Sequence, residues 1–123
     1  MSKSMMAIMK ETRFDFVYCF EENFDKAIIT TPITPTNFHS MCELLVENKV
    51  DIKMVSKTKK TSRFIPTDIV YIDLNCELEN ASYLIQFEIK QPLDVISSNW
   101  IDDTINWINE TILEITGELV VLK

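Results

Sequence analysis

A chain of 123 residues, 46% hydrophobic and 25% charged, has the size and balance of one globular domain that buries its core without disulfides or metals. Its single glycine, Gly117, excludes the Walker A loop and the Rossmann fingerprint, which need several glycines to bring backbone close to phosphate. A formal net charge of −7 and the lack of any apolar run near the ~20 residues of a membrane span argue against nucleic acid and bilayer alike.

The opening stretch, Met1 to Met9, carries Lys3 and Ser4 and makes a poor secretory core, so a cytoplasmic location is expected. From Arg13 to Phe20, the aromatics Phe14, Phe16, Tyr18 and Phe20 alternate with Asp15, Val17 and Cys19, which predicts a half-buried strand. Ala27 to Thr31 reads as a shorter second strand, with Glu21 to Asp25 as the turn between them. Thr34 and Pro35 supply an N-cap and a first helical position. Phe38, Met41, Cys42 and Leu45 follow at i, i+3, i+4 and i+7, one apolar stripe of a helix running to about Asn48. Val50 to Ser56 favours a strand, with Ile52 and Met54 on one face and Lys53 and Val55 on the other. Lys57 to Arg63 is basic and polar and reads as a loop that interrupts the sheet.

Val70, Ile72, Leu74, Cys76 and Leu78 then form one apolar face, with Asp73, Asn75, Glu77 and Glu79 on the other. Tyr83, Ile85, Phe87 and Ile89 do the same against Leu84, Gln86, Glu88 and Lys90. A short connection, Glu79 to Ser82, predicts an antiparallel hairpin at the centre of the sheet. After Pro92, Ser98 or Asn99 caps a helix whose buried stripe is Ile101, Ile105, Ile108, Ile112 and Ile115, with Trp100 and Trp107 alongside. Asp102 and Asp103 suit the positive end of its dipole, and Gly117 closes it. Leu119 to Leu122 returns as a last strand. The expected fold is a single α+β domain over residues 1–123: an antiparallel or mixed sheet of five to six strands with two helices, in the order β-β-α-β-β-β-α-β.

The ingredients of catalysis do not converge. His39 is the only histidine, which excludes the His-Glu-x-x-His zinc pattern. Cys42 lies one turn from it but points toward the predicted core, where a thiol is inert. Cys19, Cys42 and Cys76 are too widely spaced for a Cys-x-x-Cys site or a disulfide framework and read as reduced core thiols. Asp102 and Asp103, being adjacent on a helix, diverge. No enzyme activity, cofactor or metal is expected.

Charge distribution says more. Residues 1–63 hold ten basic and eight acidic side chains, a net of +2, whereas residues 64–123 hold two basic and eleven acidic ones, a net of −9. Such a field repels nucleic acid and attracts a basic protein surface. Asp73, Glu77, Glu79, Glu88, Asp103 and Glu110 are the candidate partner-binding residues. The basic Lys57–Arg63 segment lacks the interleaved aromatics that single-strand binding favours and reads as a solvated connection. The expected function is non-catalytic: an inhibitor or adaptor that blocks a basic partner such as a toxin or nuclease. Small size, acidity and missing catalytic motifs are the shared character of immunity proteins and anti-defence proteins, a likeness of composition alone. The alternative is a homo-oligomeric assembly component, such as a phage tail protein, that associates through exposed strand edges and aromatic faces.

Overall fold

The computed structural model describes residues 3–60, 69–90 and 99–117. Chain order is α1 (Met5–Glu11), β1 (Phe16–Phe20), β2 (Asp25–Ile29), α2 (Pro35–Glu47), β3 (Asp51–Lys60), β4 (Ile69–Leu78), β5 (Ala81–Lys90) and α3 (Asn99–Thr116). The strands make one five-stranded mixed sheet in the order β1-β2-β5-β4-β3. Neighbours are antiparallel except β2 and β5, which run parallel. The fold is α+β, as expected, with a third helix that the sequence reading did not include. The predicted strand Leu119–Leu122 and the cap Ser98 lie outside the described residues, as do the side chains of Trp100 and Ile101.

Local chemistry explains where the helices begin. Thr34 accepts the amide of Asn37, and the Asn37 side chain in turn accepts the amide of Thr34, a reciprocal box that satisfies two orphan donors just before Pro35. Ser4 caps α1 with a single bond, its hydroxyl oxygen accepting the amide of Ala7. With only seven residues, α1 cannot hold itself as a helix. Burial of Met5, Ile8 and Met9 against the common core holds it in place.

Among the described residues, the three helices lie on one side of the sheet. Phe38, Met41, Cys42 and Leu45 of α2 and Ile105, Ile108 and Ile112 of α3 join Ala27, Ile29, Ile72, Leu74, Ile85 and Phe87 in a single cluster. Both helix stripes fall on the predicted faces, and Asp103, Asn106, Glu110 and Glu114 are exposed. On the apolar face of the hairpin, Val70, Ile72, Leu74, Ile85 and Phe87 are buried, whereas Ile89, near the end of its strand, is half-buried.

Two readings of β3 are corrected. The segment Lys57–Lys60 belongs to the strand and pairs with Ile69–Ile72; residues 61–63 lie outside the described residues. Lysines suit this position because β3 is an edge among the described strands, where charge discourages further pairing. A bulge between Ile52 and Met54 shifts the register, so Val55 is buried and Met54 turns outward to half-exposure. Strict alternation from Ile52 misses this, since one extra residue exchanges the two faces of everything after it. Glu79 is also corrected: it does not continue the strand face but occupies a two-residue turn with Asn80, both at positive φ (51° and 68°), the signature of a tight hairpin.

Candidate partner-binding surface

Among the described residues, no helix covers the second face of the sheet. Register assigns its occupants. Directly opposed residues of neighbouring strands share a face, and those opposite the outward side of β4 are Asp51 against Glu77, Met54 against Asn75 and Ser56 against Asp73. On β5, Gln86 stands beside Asp73 and Glu88 beside Tyr71. Ile28 and Lys26 continue the face on β2, and Val17 and Cys19 on β1.

Asp73 sits near the middle and is only 7% exposed, the one buried charged residue among those described. A buried carboxylate requires donors, and Asp73 accepts from Thr58 Oγ1 at 2.9 Å and from Gln86 Nε2 at 3.0 Å. The bulge makes this possible. Without it, Lys57 would take the outward position and Thr58 the inward one; with it, Lys57 pairs with Ile72 on the helix side and Thr58 reaches the acid. Lys57 is thereby removed from the acidic face, and Asp73 is met by the neutral donors of Thr58 and Gln86.

The six predicted contact residues do not form one surface. Asp73, Glu77 and Glu88 share the uncovered sheet face, where Asp73 is engaged inside and the two glutamates are half-buried. Glu79 stands at the hairpin tip. Asp103 and Glu110 are exposed on α3, behind the helices and so on the other side of the molecule. Asp51, not among the six, is exposed and directly opposite Glu77. Like charges in that relation are mutually destabilising, and Lys53, 3.8 Å from Asp51, offsets this in part. A strand register was needed to find it.

Elsewhere among the described residues, several side chains with chemical potential have partners or are buried. His39 Nδ1 lies 2.7 Å from Glu43 Oε1 on the exposed side of α2. Burial, and next to it the neighbouring Cys76, pushes the Cys42 thiol far above its ordinary value, and burial pushes Cys76 up to about 12. Both are therefore held as neutral thiols in the core. Tyr18 is likewise raised, by burial first and then by Asp25, whose carboxylate accepts its hydroxyl at 3.2 Å. A groove of about 440 Å³ runs between the end of α1 and α2, over Phe14, Met41 and Leu44. Part of its polar wall is spent locally: Asn37 in the α2 cap, Ser40 on the carbonyl of Thr36 and Thr31 on the amide of Asp15.

No helix among the described residues is long and apolar enough to cross a membrane. The chain matches no family model, and comparison with curated proteins and with solved structures likewise finds no match.

Proposed function

We propose that this chain is a non-catalytic protein-binding module, an inhibitor or adaptor that engages a basic protein through the uncovered face of its sheet. The observation that carries the reading is the grouping of Asp51, Asp73, Glu77 and Glu88 on that face, with Lys57 turned away by the bulge. Half-buried Met54, Leu84 and Ile28 lie among these acids, so the face offers apolar contact area inside a polar field, the usual anatomy of a protein interface. A basic toxin or nuclease is the partner class that such a field would steer and cover. Asp103 and Glu110, on the far side, then serve solubility.

The experiment is capture of the partner from the native host by tagged protein, with identification by mass spectrometry and a parallel capture by the Glu77→Lys/Glu88→Lys variant. The reading expects a basic protein retained by the wild type and lost by the variant. Retention by both removes the sheet face from the account.

A further inference from the structure

The two edges of the sheet are built differently. β3 carries Lys53, Lys57, Lys59 and Lys60 together with a bulge, two devices that keep an open edge from pairing. β1 has neither. Its sequence is Phe16-Val17-Tyr18-Cys19-Phe20, without charge, proline or bulge, and Val17 and Phe20 are 57% and 74% exposed. Among the described residues, no strand pairs with its outer side.

Hydrogen bonding fixes which backbone groups are open. Thr30 donates to the Asp15 carbonyl at 3.2 Å, and Glu21 donates to the Phe24 carbonyl at 2.9 Å. These bonds bracket a β1–β2 register that runs unbroken from Phe16 opposite Ile29 to Phe20 opposite Asp25. Bonded pairs alternate along an antiparallel ladder. Val17 and Cys19 therefore spend their backbone groups on β2, and the N–H and C=O groups of Phe16, Tyr18 and Phe20 point out of the edge.

That edge complements itself. Read in either direction, it is aromatic, small apolar, aromatic, small apolar, aromatic, and its open groups belong to the three aromatics. A two-fold contact requires such self-complementarity. We propose that β1 pairs antiparallel with β1 of a second copy about an axis through Tyr18, joining the two sheets edge to edge. Each outward N–H then finds a carbonyl in the partner strand: Tyr18 on its own symmetry mate, and Phe16 on Phe20 in both senses. Phe20 covers Phe16 of the second copy on the helix side, extending the edge-on row of Phe16, Tyr18 and Phe20, whose centroids are 6.5 and 5.4 Å apart. On the other side Val17 faces Cys19. Asp15 meets Glu21 of the second copy, and Glu21 is already within 3.5 Å of Lys26, so residual repulsion is screened by salt. This dimer tightens as ionic strength rises, opposite to the binding of a basic protein, and it leaves the acids of β3, β4 and β5 uncovered.

The test is sedimentation equilibrium of the full chain from micromolar to near-millimolar concentration, at low and high salt. Twice the mass of one chain at the upper concentrations, reached earlier at high salt, is expected. Tyr18→Pro removes the N–H on the axis at a position where an edge tolerates proline, and it should weaken dimerisation at least about a hundredfold with thermal unfolding still cooperative. A positive readout that does not depend on that variant folding comes from Val17→Cys. Its new thiol lies opposite Cys19 of the second copy and should give a covalent dimer on oxidation. In the wild type the two Cys19 Cα atoms are about 8 Å apart, from strand rise and spacing, too far for a disulfide. A single-chain mass at every concentration, a dimer untouched by a folded Tyr18→Pro, failure of oxidised Val17→Cys to cross-link, or a Cys19–Cys19 disulfide in the wild type would each overturn the proposal.

Discussion

Phe38 on α2 meets Phe87 on β5 edge to face, with ring centroids 5.8 Å apart and planes inclined by 67°. Phe14 meets the same Phe87 ring at 5.7 Å, and Trp107 meets Phe38 at 5.6 Å. Aromatic contacts thus link the segment before β1, the sheet centre, α2 and α3. Phe87 also lies opposite Ile29 across the parallel pair, where the chain returns to β2 after its excursion through α2, β3 and β4. Replacing Phe87 by Ala should cost about 3–5 kcal/mol, as large-to-small changes in closed cores do. Denaturant unfolding measures it, and a loss below about 1 kcal/mol would place Phe87 outside the core.

Ile108 is 0% exposed and belongs to the α3 stripe. Ile108→Asp would put a carboxylate among apolar neighbours with nothing to pair it, and the variant should fail to fold cooperatively. Glu110→Lys, two positions away on the exposed side, is the control and should unfold within about 0.5 kcal/mol of the wild type. Circular dichroism with thermal melting separates the two.

The β4–β5 turn is under local strain. Glu79 and Asn80 both hold positive φ, which a side chain resists by roughly 1–2 kcal/mol per residue. The double change Glu79→Asn/Asn80→Gly installs the pair that this turn type prefers. It should raise stability by about 1 kcal/mol, read as a higher denaturant midpoint at constant slope.

Cys76 has its thiol pKa raised from 9.0 to about 12 by burial, and Cys42 is raised as well. Unfolding exposes both thiols to ionisation at their ordinary value, so their contribution to stability is complete below about pH 9 and declines as pH rises from there toward 12. Equilibrium unfolding at pH 7.5 and at about pH 10 should show that loss, and Cys42→Ala/Cys76→Ala should lessen the pH dependence while lowering stability overall. Cys19, half-buried on the open sheet face, should be the first thiol to react with a maleimide in the native protein.

The regular elements were legible because their periodicity is undisturbed. The α2 stripe and the β4–β5 hairpin are one-sided from end to end, so apolar spacing alone places Phe38, Leu45, Ile72 and Phe87 inside. What was not legible depended on pairing. A strand made of Lys57–Lys60 reads as a loop until its place at the sheet edge is known. The bulge that inverts β3 after Ile52 leaves no mark in composition. Met5, Ile8 and Met9 do carry helical spacing, but over a segment too short to stand without tertiary contacts. Charge asymmetry was visible in the sequence, yet its division between the sheet face and the back of α3 followed only from which face each element buries. Asp51 lies in the balanced half of the chain and becomes part of the acidic face through its register with Glu77.

The acidic sheet face is tested most directly by association kinetics of the captured partner with three proteins at low and high salt: the wild type, Asp51→Lys/Glu77→Lys/Glu88→Lys, and Asp103→Lys/Glu110→Lys. The sheet-face triple should slow association and flatten its dependence on ionic strength while still unfolding cooperatively, and the helix-face pair should associate close to the wild-type rate. Equal rates for the wild type and the sheet-face triple at both salts, or slowing confined to the helix-face pair, would contradict it.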